Sequence, residues 1–160
     1  MRAIILAGGK GARLAPYTTI LPKPLMPIGD MSIIEVVIRQ LAHYGIHDLT
    51  LAVGYLAELL MAYCGDGSKF NSKINYSREE QPLGTAGPLT LIPDLNETFF
   101  MMNGDLLTSI DYKAMLQYHR ERGALATIAC HKRDAKIDFG VIELTEDNWI
   151  SNYIEKPVYH

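Results

Sequence analysis

Gly8, Gly9 and Gly11 stand directly behind an apolar run ending at Leu6 and Ala7, with Arg13 and Lys23 following in the same segment. That grouping is suited to a polyphosphate. Glycines reach backbone conformations closed to other residues and let main-chain N–H groups approach an anion closely. An arginine makes forked contacts to phosphate oxygens, and a lysine acts as a point charge. Two commoner phosphate motifs do not fit. A dinucleotide fingerprint counted from Gly9 needs glycine at Leu14, and counted from Gly8 it needs glycine at Lys10. A P-loop needs Gly-Lys followed by Ser or Thr opening a helix, whereas Lys10 is followed by Gly11 and then by Pro16, Pro22, Pro24 and Pro27. The glycine spacing thus argues against a NAD-linked dehydrogenase, and the prolines predict a long, ordered, non-helical loop.

Three other groups carry chemistry. In Glu79–Leu89, EEQPLGTAGPL, Gly84 and Gly87 permit close backbone approach and Gln81 offers both a donor and an acceptor, suited to a nucleobase edge. The same residues also suit a plain strand-to-helix turn with Thr85 near the cap. Asp105, in Asn103-Gly104-Asp105, can hold a hard divalent cation together with phosphate oxygens and water, or be a turn residue. Glu155-Lys156-Pro157 reads locally as a surface charge pair.

The elements that must position these groups follow from hydropathy. Strands are predicted at Ala3–Ala7, Leu49–Val53, Ile74–Tyr76, Phe99–Met102, Leu125–Ala129, Val141–Leu144 and Trp149–Ile154. Ile33, Ile34, Val37, Ile38 and Leu41 form a helix stripe closed by Gly45 after Tyr44. Leu56–Tyr63 and Tyr112–Arg122 also read as helices. Strand–helix alternation over the first 120 residues predicts an α/β domain with a largely parallel sheet covered on both faces, and antiparallel strands after Leu125. The candidate groups then fall at the carboxyl ends of strands, where open parallel sheets bind ligands.

As one string, G-G-x-G-x-R-L-x-P-x-T and P-K-P-L-x-P-I, from Gly8 to Ile28, resemble the signature of the sugar-1-phosphate nucleotidyltransferases, or sugar-nucleotide pyrophosphorylases. The segment E-x-P-L-G-T-A-G-P-L is similar to the base-binding segment of that superfamily, and is nearer in motif to the mannose-1-phosphate guanylyltransferases than to the thymidylyltransferases. With Asn103-Gly104-Asp105, Asp138-Phe139-Gly140-Val141 and Glu155-Lys156-Pro157, five motifs follow in the family's order from residue 2 to residue 157.

The resemblance implies a Rossmann-like, mostly parallel sheet flanked by helices, and a transfer from NTP to a hexose 1-phosphate that gives an NDP-sugar and pyrophosphate. GTP with mannose 1-phosphate is the expected pair, with a glucose-1-phosphate thymidylyl- or uridylyltransferase, or a catalytically incomplete nucleotide-binding regulatory module, as alternatives. It places Leu6, Gly8, Gly9, Gly11, Arg13, Lys23, Gln81, Gly84 and Thr85 on the NTP, and Gly140, Glu155 and Lys156 on the sugar phosphate. Asp105 becomes the first ligand of a catalytic Mg²⁺, and Arg13, Lys23, Asp105 and Lys156 the catalytic set. Family members normally continue through further strands and a second metal-binding Asp, so residues 1–160 are expected to be the NTP-binding portion of one catalytic domain, truncated or naturally short. Such a chain is expected to bind NTP and turn over slowly by itself.

Charge and cysteine usage agree with small anionic partners. Residues 1–30 carry Arg2, Lys10, Arg13 and Lys23 against Asp30, a balance of +3 inside a net charge of −3. Without Lys/Arg runs, nucleic acid and anionic membrane are poor partner classes. Cys64 and Cys130 have neither C-x-x-C nor zinc spacing and read as buried reduced thiols. No stretch approaches membrane-spanning length, so a soluble, cytoplasmic protein is expected, with homo-oligomerisation left open.

Overall fold

The computed structural model describes residues 1–159. They fall into two compact units, Met1–Tyr118 and the residues from His119 onward. In chain order the first unit holds β1 (Arg2–Ala7), the short pair β2 (Pro27–Ile28) and β3 (Met31–Ser32), α1 (Ile33–His43), β4 (Asp48–Val53), α2 (Ala57–Cys64), β5 (Lys73–Arg78) and β6 (Phe99–Asn103). It ends within α3 (Tyr112–Arg122).

The central sheet has the order β5-β4-β1-β6, and every pairing in it is parallel. Counted among these four strands alone, that is the 3-2-1-4 order of doubly wound folds. The register sets Ala3 beside Leu49, Ile5 beside Leu51 and Met102, and Ala7 beside Val53, so these side chains share one face. Ile34, Val37, Ile38 and Leu41 of α1, Ala57 and Leu60 of α2, and Tyr112 of α3 join them in one buried cluster. On the opposite face Ile4, Thr50 and Ala52 are buried at the sheet centre.

Local signals explain where α1 begins and ends. The Ser32 hydroxyl accepts the Glu35 N–H at 3.3 Å, a side-chain N-cap. At the other end Gly45 takes φ +80, its N–H donates to Ala42 O at 2.9 Å, and the Ile46 N–H donates to Leu41 O at 3.0 Å. This is a Schellman stop, and it leaves no continuous helix to carry both His43 and His47. Asp111 caps α3 by accepting the N–H groups of Lys113 and Ala114 at 2.9 and 3.0 Å.

The second unit contains two antiparallel pairs. β7 (Ala135–Lys136) pairs with β10 (Val158–Tyr159), and β8 (Val141–Leu144) pairs with β9 (Ile150–Ile154). Thr145–Asn148 forms the expected turn between β8 and β9, with Asn148 N–H on Thr145 O at 3.0 Å. Two expectations need correction. Leu125–Ala129 is not a strand, and Leu125 and Ile128 are exposed: a strand exists only through a ladder partner, and none pairs with this run among the described residues. Cys130 is exposed, with its Sγ 3.8 Å from Ile128 O, because it belongs to the same unpaired stretch; Cys64, on the core side of α2, is buried. Among the described residues no helix is long and apolar enough to cross a membrane.

Candidate functional site

Between β1 and β6 the sheet changes direction, since β4 follows β1 on one side and β6 lies on the other. A crevice opens at the carboxyl ends of the strands at such a switch point. An open cleft of about 1220 Å³ lies there in the first unit. Leu6, Gly8, Gly9 and Gly11 line it from the end of β1, and Asp105 lines it from the end of β6. Lys23 enters from the loop, and Gln81, Gly84 and Thr85 come from the segment after β5.

The loop is ordered without being a helix. It passes through three 3₁₀ turns, Ala12–Leu14, Tyr17–Thr19 and Lys23–Leu25. Buried Thr18 pins it by donating its hydroxyl to Gly11 O at 3.1 Å. Gly11 itself has φ +59, a backbone state that favours glycine, and a Cβ there would lie 3.0 Å from Thr18 Cγ2. At Gly8 a Cβ would fall 1.9 Å from Glu79 Oε1, so an alanine would push the Glu79 carboxylate aside. That carboxylate accepts the Leu83 N–H at 3.2 Å and so closes the turn that carries Gln81.

Asp105 is placed by the sheet. The Gly104 N–H donates to Leu6 O at 2.8 Å, which extends the β1–β6 ladder by one residue and sets Asp105 just beyond it. Its carboxylate forms an ion pair with the Lys23 ammonium. The two residues that sequence reasoning assigns to metal and phosphate, 82 positions apart, are thus direct neighbours.

Arg13 is not among the residues lining the cleft; it lies exposed on the Ala12–Leu14 turn. Lys10 and Glu79 do line the cleft and were not singled out by sequence. Lys10 is flanked by Gly9 and Gly11, and Glu79 is the first residue after β5, so position after a strand was the signal for both.

In the second unit, Gly140 precedes β8 and Glu155-Lys156 follows β9. Lys156 takes φ +47, which bends the chain between β9 and β10. Gly140 and Glu155 both meet Tyr153: a Cβ on Gly140 would lie 2.3 Å from the Tyr153 hydroxyl, which donates a hydrogen bond to Glu155. That bond, ahead of desolvation, raises the Tyr153 phenol above its ordinary range.

A family model described as "Nucleotidyl transferase" matches residues 2–160. The chain belongs to the nucleotidyl transferase family. It is 38% identical to a mannose-1-phosphate guanyltransferase of Candida albicans, over 99% of this chain and 46% of that protein. It is 37% identical to the Saccharomyces cerevisiae mannose-1-phosphate guanyltransferase, over 98% of this chain and 45% of that one. The chain spans about half the length of the curated relatives it matches. Among solved structures, HddC from Yersinia pseudotuberculosis, complexed with GMP-PN, superposes with TM-score 0.66 at 25% identity, covering 97% of this chain and 69% of that one. A Bacillus anthracis protein crystallised with sucrose and assigned as a glucose-1-phosphate thymidylyltransferase gives TM-score 0.70 at 25% identity, covering 98% and 65%.

The donor set of this nucleotidyl transferase chain bears on a divalent cation. Among the described residues no three His, Cys, Asp or Glu side chains gather as a metal cluster. Asp105, beside Lys23 in the cleft, supplies a hard oxygen donor, which fits an ion that keeps waters and takes its other ligands from substrate phosphates, as Mg²⁺ does.

Proposed function

We propose that the chain forms the NTP-binding portion of a sugar-1-phosphate nucleotidyltransferase, working with Mg²⁺ in the cytoplasm on GTP and mannose 1-phosphate. The observation that carries this reading is the cleft at the switch point, where the glycine loop, Lys23 and Asp105 converge. The names of the relatives at 37–38% identity favour the guanine nucleotide and mannose. A protein of similar fold that binds GMP-PN adds support for the base.

In this reading the N–H groups of Gly8, Gly9 and Gly11 receive the β- and γ-phosphates, with Arg13 swinging in, while Lys23 takes the α- or β-phosphate. Gln81, Gly84 and Thr85 meet the base, and Leu6 also contacts the NTP. Asp105, together with NTP oxygens, would hold Mg²⁺, which supplies charge neutralisation at the phosphates. Gly140 and Glu155 take the sugar, and Lys156 its phosphate. An oxygen of the hexose 1-phosphate attacks the α-phosphorus in line; the bond from that phosphorus to the α–β bridging oxygen breaks, and pyrophosphate leaves with the electron pair. The attacking oxygen is already ionised, so no general base is needed, and positioning and charge neutralisation carry the catalysis.

Lys23 and Asp105 must part for each to take its own ligand. Opening the pair once serves both, so NTP and Mg²⁺ are expected to bind with positive coupling. Calorimetric titration of GTP, ATP, UTP and dTTP with Mg²⁺, followed by pyrophosphate release with mannose or glucose 1-phosphate, tests the assignment. GTP is expected to bind tightest and mannose 1-phosphate to release pyrophosphate fastest. Preference for dTTP or UTP would move the chain to the thymidylyl or uridylyl class, and absence of binding by every NTP would overturn the reading.

A further inference from the structure

Tyr153 has no part in the assignment above, yet it touches two residues that do. Residues 153 and 155 are two apart, so their side chains leave the same face of the β9 strand end. The antiparallel register sets Ile142 opposite Tyr153 and Val141 opposite Ile154, which brings Gly140 to that face as well. The space where a Gly140 side chain would begin is filled by the Tyr153 ring, with Cε2 and Cζ each 2.6 Å and the hydroxyl 2.3 Å from the Cβ position. No side chain fits there unless the ring moves. The hydroxyl donates to Glu155 Oε2, which leaves Oε1 and the phenol oxygen's lone pairs as acceptors on one surface.

We infer that Tyr153 is a positioning residue for the sugar phosphate: its hydroxyl fixes the Glu155 carboxylate for sugar hydroxyls, with its ring seated against Gly140. This rests on the reading that Glu155 contacts the sugar. Glu155 is exposed, and an exposed carboxylate on a flexible chain samples several rotamers; a phenol anchored on the hairpin restricts them, which lowers the ordering cost when the sugar binds. The raised phenol pKa of Tyr153 accords with a donor held on a carboxylate.

The test is mannose 1-phosphate titrated calorimetrically into the whole chain saturated with Mg²⁺ and a non-hydrolysable GTP analogue. Tyr153→Phe keeps the ring and removes the hydroxyl, and is expected to weaken sugar-phosphate binding about 3- to 10-fold, the scale of one hydrogen bond, with analogue affinity unchanged. Glu155→Gln should weaken it further. Adding Tyr153→Phe to Glu155→Ala, which leaves the hydroxyl no acceptor at residue 155, should cost nothing more than Glu155→Ala alone, because the hydroxyl acts through that side chain. Gly140→Ala should give a loss similar to that of Tyr153→Phe by displacing the ring. Spectrophotometric titration supplies a second readout: the Tyr153 phenol should return toward its ordinary range in Glu155→Gln. Loss in Glu155→Gln with none in Tyr153→Phe, or fully additive losses, would overturn the positioning role. No loss in Glu155→Gln, or no mannose 1-phosphate binding by the unsubstituted chain, would instead overturn the sugar-site reading beneath it.

Discussion

Lys23 and Asp105 neutralise one another at the end of the sheet. Lys23→Ala is expected to weaken NTP binding roughly ten- to a hundredfold, the worth of a charge-assisted contact of about 1.5–3 kcal/mol. Unchanged affinity in the folded variant would remove Lys23 from the phosphate site. Asp105→Asn keeps the shape and releases Lys23, so NTP should bind as well or better without metal while the gain on adding Mg²⁺ shrinks. Titrations with and without Mg²⁺ read this directly; an equal Mg²⁺ response in both proteins would make Asp105 a turn residue only. Arg13 stands outside the cleft lining and should matter less than Lys23. Equal losses in Arg13→Ala and Lys23→Ala would show that the Ala12–Leu14 turn closes on the bound phosphate.

Between elements, the tie from α1 to α2 carries a pH signature. The Tyr63 hydroxyl donates to Glu35 Oε2 at 2.5 Å, and Arg39 binds Oε1 at 2.8 Å. These contacts, the tyrosine bond first, hold the Glu35 carboxyl below its ordinary value of 4.5. A depressed acid stabilises the fold above its unfolded pKa, and that stabilisation is lost as pH falls through the lowered folded value. Tyr63→Phe should therefore cost about 1.5–3 kcal/mol near neutral pH, with the gap to the unsubstituted chain closing as pH drops below the carboxyl range. Urea melts at pH 7 and in acid compare the two, and a gap independent of pH would mean that the phenol acts by packing alone. α1 was legible because its own residues decide it: the apolar stripe and Gly45 after it are local, whereas the Ser32 cap came only with the structure. The glycine loop was legible for the same reason. Leu125–Ala129 misled, since β-branched composition reports a capacity to pair and not whether a partner lies alongside. The Lys23–Asp105 pair and the Glu79 anchor were hidden, because each depends on which strand ends the topology brings together.

At the scale of the whole chain, the candidate functions are divided by sequence position. The proposed NTP residues lie at or before Asp105, within Met1–Tyr118, and the proposed sugar-phosphate residues lie at or after Gly140, in the second unit. Each set is assigned to its own ligand, so the two binding functions should be separable by mutation. Lys156 offers the cleaner test because its backbone is left-handed, with φ +47. Lys156→Ala would combine loss of charge with strain, whereas glycine accepts that conformation and Lys156→Gly removes only the side chain. Lys156→Gly is expected to weaken mannose 1-phosphate binding roughly ten- to a hundredfold through the lost charge-assisted contact, with GTP affinity unchanged. Lys23→Ala should show the reverse, losing GTP while the response to mannose 1-phosphate at saturating GTP persists. Calorimetry on each ligand with each variant gives four affinities. A matching loss of GTP affinity in Lys156→Gly would place the second unit in the nucleotide site, and an unchanged mannose 1-phosphate affinity would remove Lys156 from the sugar phosphate.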